Sequence, residues 1–593
     1  MKDADIVQSL DLARPRPLVV EEQGPVETRQ GGSGRWFFDF GKAAFGTVRV
    51  NITAEREGPA VVHLGEKLDG QGAIDRHPPG SVRYRAIPLE LREGEQVLQV
   101  AIPPDARNTG KVAIPMPASL FEVLPFRYAE LDVPDGHTVL SCAMTRLAVS
   151  YPFNEAASGF SCDDERLNRV WDLCRYSIKA TSFCGVYVDG DRERIPYEAD
   201  AYINQLCHYG VDAEYEMARR SLEHLLFHPS WPTEWALHCL PMAWADWQYT
   251  GRTDLLAAYY DVLRTKALLP LARGDGLIST ETGMVTPALV SALFLPPSPA
   301  PLRDLVDWPP GSFTQGGNGE RDLYDMVPVK TVVNAFHAWN LELLAEIAAT
   351  LGRPDDAEFF RHRWRQVVAS LNAICFRADL GRYVDGEGSD HASLHANMIP
   401  AALGLVPAGR EAGVLAFIKS RGMACSVYGA QYLLEACYRL GDADHALDLM
   451  TAESDRGWLN MLRAGSTVTL EAWDHRYKNN LDWNHAWGAA PANIIPRFIA
   501  GVRPATPGFG DVLIAPRPGR LQWVDAKVPT PHGPVQVWIG PSVDGWRRLR
   551  IGTPVPARLD LAGFGVPALS ASRREEILLA RGRHEVEVYC ATE

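Results

Sequence analysis

Asp189-Gly-Asp-Arg-Glu-Arg-Ile-Pro-Tyr-Glu-Ala-Asp200 packs five carboxylates and two guanidiniums into twelve residues. Apolar and aromatic neighbours surround it: Phe183, Val186, Tyr187, Val188 and Ile203. Carboxylates this close cannot all ionise without cost, so at least one is expected to have a raised pKa. A carboxyl held protonated near neutral pH is what a general acid requires. Pro196 suits the first position of a helix, and Tyr197 to Tyr209 reads as helical with Ile203, Leu206 and Cys207 as apolar positions. Glu193 then sits on the loop entering that helix, with Asp200 and Asn204 one turn apart on a single face. Read without chemistry, the same stretch is a solvated acidic loop cross-linked by its arginines. Both readings are open on this segment alone.

Outward from this helix entry the chain shows three textures. From about Trp36 to Leu147, short alternating runs such as Thr47-Val-Arg-Val-Asn-Ile-Thr53 and Ala60-Val-Val-His-Leu64 are broken by Gly and Pro. That pattern predicts a β-sandwich. From about Asp163 to Ala500, long amphipathic helices are expected, among them Thr253 to Ala267, Lys330 to Leu351, Asp355 to Phe376 and Gly429 to Leu440. A proline-rich stretch, Leu295-Pro-Pro-Ser-Pro-Ala-Pro-Leu302, marks a long loop between them. From about Thr506, β texture returns in Asp511-Val-Leu-Ile-Ala-Pro516, Val535-Gln-Val-Trp-Ile539 and His584-Glu-Val-Glu-Val-Tyr589. The expected domains are an N-terminal extension over 1–35, a β-sandwich over 36–155, a helical catalytic domain over 160–503 and a second β-sandwich over 504–593.

At 593 residues, several domains are expected. A net charge of −14 disfavours nucleic acid and anionic membrane as partners, since both need a basic face. The first residues lack an apolar core and cleavage site, so no signal peptide is expected. No apolar run has membrane-spanning length. The ten cysteines are scattered without a C-x-x-C pair, which reads as reduced thiols in a cytoplasmic protein. No metal and no cofactor is expected.

A second dense region is Gly465-Ser-Thr-Val-Thr-Leu-Glu-Ala-Trp-Asp474, followed by Asn480-Leu-Asp-Trp-Asn-His-Ala-Trp-Gly488. It sets Glu471 beside Trp473, and His485 between Trp483 and Trp487. Aromatic faces beside carboxylates are the usual lining of a carbohydrate site. Trp231, Trp235, Trp244, Trp247 and Trp308 extend the same theme, although any single Trp reads first as a core residue and the case rests on clustering with Glu471. Two carboxyl sites on separate loops of one helical domain fit glycoside hydrolysis by inversion, in which one acid protonates the leaving oxygen and one base activates water.

Together these segments resemble the α-L-rhamnosidases of glycoside hydrolase family 78. The resemblance puts the family's general acid on Glu193 and its later aspartate on Asp200. Arg194 matches the arginine after the acid, and Tyr197 stands where the family has a tryptophan. Asp189 is the best match for the family's earlier aspartate, with Asp191 the competing position. The Gly-x-Thr-x-x-x-Glu-x-Trp-Asp…Asn-His pattern puts the general base on Glu471 and a substrate-contacting histidine on His485. Val306-Asp307-Trp308 resembles the family's Asp-Trp loop, which lines the sugar pocket.

The fold this implies is an (α/α)6 barrel flanked by two antiparallel β-sandwiches. The activity it implies is inverting, exo-acting release of terminal α-L-rhamnosyl residues, with a carbohydrate or rhamnosylated small molecule as substrate. The substrate-binding set is Asp189, Asp200, Arg194, Tyr197, Trp244, Asp307, Trp308, Trp473, Trp483 and His485. Another inverting glycosidase, of fucosidase or glucosidase type, and a non-catalytic carbohydrate-binding protein are the alternatives. Neither aglycone, oligomeric state nor bound calcium is fixed by the sequence.

Overall fold

The computed structural model describes residues 9–31, 35–134, 139–308, 319–561, 566–567 and 576–590. An eight-stranded antiparallel sheet comes first, with Val19–Gln23, Val139–Ser150, Trp36–Ala54, Leu124–Asp132, Gly58–Gly65 and Tyr84–Leu91 in that order. Glu27–Gln30 and Gly94–Gln99 also pair with the long strand Trp36–Ala54. That strand breaks register between Asp39 and Ala44, where Gly41 takes a positive φ of 80°. Residues 36–46 of that strand pair with Leu124–Asp132, residues 49–54 with Gly94–Gln99 and residues 46–54 with Val139–Ser150. Val48, Val50 and Ile52 point into a separate core with Phe38, Val62 and Phe126. The stretch set apart as an N-terminal extension thus supplies two strands of this sheet.

The helical region alternates two kinds of helix. Glu198–Val211 is buried at every residue, and Leu394–Ala402 likewise. Others bury a single stripe: Pro354–Cys375 buries Ala357, Phe360, Val367, Leu371 and Cys375, and Glu411–Arg421 only Val414 and Ile418. Helices buried all round pack inside, and striped ones cover them. Thr331–Thr350 and Pro354–Cys375 form one such inner–outer pair, joined by Leu351, Gly352 and Arg353. The helix expected over Thr253 to Ala267 is two shorter ones, Asp254–Ala258 and Tyr260–Lys266, divided at Tyr259.

The closing region holds a four-stranded and a six-stranded sheet. Gly159–Cys162, expected to open the helical domain, is instead an edge strand of the latter, paired with Val524–Val528. Val502–Pro504 likewise joins the four-stranded sheet. A continuous apolar core runs from the helices into these sheets.

Candidate active site

The helix after the acidic segment begins at Glu198, two residues later than Pro196 suggests, with Tyr197 extended at its N-cap. The reason is local. Asp189 N donates to Ile195 O, and Ile195 N donates back to Asp189 Oδ1, both at 2.9 Å. This closes residues 189–195 into a loop and holds Pro196 outside the helix. Arg194 takes φ 54° within it, a costly conformation for a residue with a side chain. Its guanidinium donates to Asp191 Oδ1 at 2.8 Å and to Val123 O at 3.0 Å, and pairs with Glu122 at 2.7 Å. Arg83 pairs with the other oxygen of Asp191. The first sheet domain therefore grips the loop from behind.

The second segment meets this loop. Asp191 N donates to Asn484 Oδ1 at 2.7 Å, and Asn484 Nδ2 donates to Glu66 Oε1 at 3.2 Å. A Cβ on Gly190 would lie 2.8 Å from Asp482 Oδ2 and 3.0 Å from Asn484 O, so glycine is what allows this approach.

A pocket of about 200 Å³ opens at this junction. Asp189, Arg192, Glu193, Tyr197, Asp200, Glu471 and His485 line it with Trp231, Trp235, Trp308 and Trp487. On one side Tyr197 OH donates to Glu193 Oε2 at 3.1 Å. Glu471 accepts from Arg192 Nη1 and Nη2 at 2.6 and 2.8 Å, and Lys478 Nζ lies 3.2 Å from its Oε1. Trp487 Nε1 donates to the Glu471 carbonyl at 3.0 Å. On the other side the Trp308 ring stands 6.3 Å from both Trp231 and Trp235, and Tyr197 is 5.5 Å from Trp235. The pocket thus sets carboxylates against an aromatic wall.

The charges at its floor are coupled. His485 Nε2 is 2.7 Å from Asp200 Oδ1, and its Nδ1 is 3.6 Å from Asp482 Oδ1. Burial pulls the imidazole down, but these two carboxylates outweigh it and hold its pKa at about 10. Burial, with Glu193 and Asp482 adding, pushes Asp189 well above the usual carboxylate range against the pull of His485. Burial also raises Asp200 and Glu198. Asp189 Oδ2 is buried and accepts no hydrogen bond among the described residues. Glu193 is the more open carboxylate, with its side chain 36% exposed.

Among the described residues, ligand atoms of Glu471, Asp482 and His485 come within 4.8 Å of one another. Both Glu471 oxygens already accept from Arg192, and Lys478 stands beside them. The protein's own cations therefore fill the role a metal would take, and the group does not fit one.

Seven of the twelve residues singled out from the sequence meet in the pocket: Glu193, Glu471, Asp189, Asp200, Tyr197, Trp308 and His485. The other five lie elsewhere. Arg194 is spent on the loop's ion pairs. Trp244 Nε1 donates to Glu346 at 2.8 Å, away from the lining. Asp307 is buried behind Trp308, accepting from Trp308 N at 2.7 Å and Ser426 N at 3.0 Å, with His395 Nε2 at 2.8 Å. Trp473 is core, its Nε1 donating to Cys425 O and its ring set edge-on against Trp458. Trp483 is buried beside His475. In the sequence Arg192 stands out only as a counter-charge to the carboxylates around it. Trp231 and Trp235 carry an aromatic signal but no positional one, whereas Trp487 is marked by its place beside His485 in the second segment.

A wall of tryptophans facing two glutamates is the kind of lining that suits a carbohydrate. The sequence matches the bacterial alpha-L-rhamnosidase 6 hairpin glycosidase domain over residues 155–266 and 300–499, and the bacterial alpha-L-rhamnosidase C-terminal domain over 501–538. The chain belongs to the bacterial α-L-rhamnosidase family. An α-L-rhamnosidase of Alteromonas sp. (strain LOR) is 23% identical over 298 residues, covering 46% of this chain and 31% of that protein. The chain thus spans about a third of that relative's length. In fold it is similar to the α-L-rhamnosidase of Streptomyces avermitilis complexed with L-rhamnose, with TM-score 0.74, 17% identity, and 97% of this chain and 54% of that one covered. The native enzyme from Aspergillus terreus gives TM-score 0.74 at 16% identity, covering 98% and 64%.

Proposed function

We propose that this protein is an inverting, exo-acting glycosidase that removes terminal α-L-rhamnosyl residues from glycosides or oligosaccharides. The observation that carries the reading is the meeting of Glu193 and Glu471, distant in sequence, in one pocket faced by Trp231, Trp235 and Trp308. Membership of the rhamnosidase family supports it. The small pocket, about 200 Å³, suits one sugar ring and hence a chain end. We read the alternation of buried and striped helices as an (α/α)6 barrel, and the flanking sheets as β-sandwiches. Ten free cysteines suit a reducing compartment, and on that ground we propose cytoplasmic residence.

In this mechanism Glu193 gives its proton to the departing glycosidic oxygen. Tyr197 OH donates to Glu193 Oε2 at 3.1 Å and Arg192 Nε to Glu193 Oε1 at 3.3 Å, which together orient the carboxyl. Glu471 takes a proton from water attacking the opposite ring face. A carboxylate has about four acceptor sites. With Arg192 and Lys478 using three of them, Glu471 keeps one for that water. Asp200 and Asp189 receive sugar hydroxyls.

A second assignment of the acid has its own support. Burial raises the Asp189 pKa well above the usual carboxylate range, and its Oδ2 has no hydrogen-bond partner among the described residues, which makes Asp189 the alternative proton donor with Glu193 orienting the aglycone.

The test is proton NMR of the anomeric region during the first minutes of hydrolysis of an aryl α-L-rhamnoside. Appearance of β-rhamnose first is expected, whereas α-rhamnose first would mean a covalent nucleophile and defeat the inverting pair. A panel of nitrophenyl glycosides run alongside distinguishes rhamnose from fucose and glucose. Binding without turnover would favour a lectin-like role.

A further inference from the structure

Asp482 is wholly buried, and neither of its carboxylate oxygens accepts a hydrogen bond among the described residues. A carboxylate in that position is tolerable only beside compensating cations. Asp482 stands 3.6 Å from His485 Nδ1, with its Oδ2 packed against Gly190. The far nitrogen of the same imidazole is 2.7 Å from Asp200 Oδ1. A neutral imidazole carries one N–H and could serve only one of these two carboxylates; the imidazolium serves both.

We propose that Asp482 is a positioning residue that holds His485 as an imidazolium and, through it, fixes Asp200 in the pocket to receive one ligand hydroxyl. The proposal rests on the reading of the pocket as a sugar site. It assigns His485 a role other than a direct hydrogen bond to the sugar. Both ring nitrogens face carboxylates, so the residue acts through its charge and by orienting Asp200.

The surroundings agree. From the acidic loop, burial raises the Asp189 pKa and so limits the charge it adds, while Arg192 competes with the ring for Asp482. From the second segment, Lys478 competes likewise while Glu471 is neutralised by its two cations. Glu66 of the first sheet domain lies behind Asp482, and burial pushes its pKa up to about 8, so it adds little charge at neutral pH. The pair nearest the ring, Asp200 and Asp482, therefore decides its state.

The experiment is an NMR titration of the protein labelled at histidine Cε1, with the His485 resonance identified by its loss in His485→Gln. In the wild type, His485 should stay protonated past pH ~8.5, roughly two units above an unperturbed imidazole. In Asp482→Asn its titration should fall to about pH 7.5 or below, within about a unit of an unperturbed imidazole, and calorimetric affinity for L-rhamnose should then weaken about tenfold more at pH 8.5 than at pH 6. A wild-type His485 titrating near 6.5, or an unchanged titration in Asp482→Asn, overturns the proposal. Should Asp482→Asn fail to fold, Asp482→Ser is titrated in its place, because the nearer Asp200 also raises the wild-type titration. Absence of rhamnose binding in the wild type would defeat the sugar-site reading while leaving the titration to judge Asp482.

Discussion

The guanidinium of Arg192 joins Glu471 to Glu193. Its Nη1 and Nη2 donate to the two oxygens of Glu471 at 2.6 and 2.8 Å, while its Nε lies 3.3 Å from Glu193 Oε1. One planar group thus sets the spacing of both carboxylates, a task that lysine, with a single ammonium, cannot perform. Arg192→Ala leaves Glu471 with Lys478 as its remaining ion-pair partner. Breaking a buried pair costs about 3–5 kcal/mol, and chemical denaturation should show a loss toward that size. Arg192→Lys should recover most of the stability but little of kcat. Full activity in Arg192→Lys would remove Arg192 from the geometry proposed here.

The assignment of the acid is decided by leaving-group dependence. General acid catalysis contributes about 10²–10⁴-fold. Glu193→Gln should lose that much with alkyl rhamnosides and far less with dinitrophenyl rhamnoside, whose leaving group needs little protonation. If Asp189→Asn shows this pattern and Glu193→Gln does not, the proton belongs to Asp189. Glu471→Gln should lose equally on both substrates, with azide restoring some turnover.

Trp308 should act in binding rather than chemistry. Its ring completes the aromatic wall with Trp231 and Trp235. Aromatic contacts are worth about 0.5–1.5 kcal/mol, so Trp308→Ala should raise KM about three- to tenfold with kcat little changed. Steady-state kinetics that match the wild type would return Trp308 to a packing role.

Gly190→Ala should separate folding from function. The added methyl would meet Asp482 Oδ2 at 2.8 Å and the Asn484 backbone at 3.0 Å. Overpacking of this kind costs about 1–3 kcal/mol. Melting should show a modest loss, whereas kcat/KM should fall by orders of magnitude because the loop carrying Glu193 is displaced. Unimpaired kinetics would mean that the loop has room to adjust.

Glu66 gives a stability signature in pH. Burial raises its pKa to about 8, against the pull of Arg83 N and Asn484. Between the unfolded value, ~4.3, and about 8, the folded chain keeps a proton that the unfolded chain releases. Stability contributed by this group is therefore complete below that window and declines as pH rises through it. Glu66→Gln should flatten the decline in denaturant midpoint from pH 5 to 8. An identical slope in the variant would mean that the side chain is ionised when folded.

Much of this molecule is legible in its sequence, for physical reasons that differ by element. The helices Thr331–Thr350 and Pro354–Cys375 follow from apolar periodicity over many turns, and the three textures of the chain correspond to its sheet and helical regions. The carboxylates were findable because unlike charges crowded among apolar residues are unusual. Tryptophans were harder. Trp473 and Trp308 look alike in sequence, and only packing sends one against Trp458 and the other to the pocket. Arg194 and Arg192 flank Glu193 symmetrically, yet one faces Asp191 and the other Glu471. Asp482 had a signal in its spacing three residues before His485, but burial without a hydrogen-bond partner is visible only in three dimensions.

The edge strand Gly159–Cys162 has a consequence for biosynthesis. Its partner strand, Val524–Val528, and the Trp523 amide that donates to Asp163 lie about 360 residues downstream. At translation rates of about 5–20 residues per second, roughly 20–70 s pass before that partner is made. Throughout that interval the nascent helical region emerges with its first strand unpaired and open to any passing β-edge. The protein is therefore expected to depend on a holding chaperone at the ribosome. Slower translation should lengthen the exposure and increase aggregation.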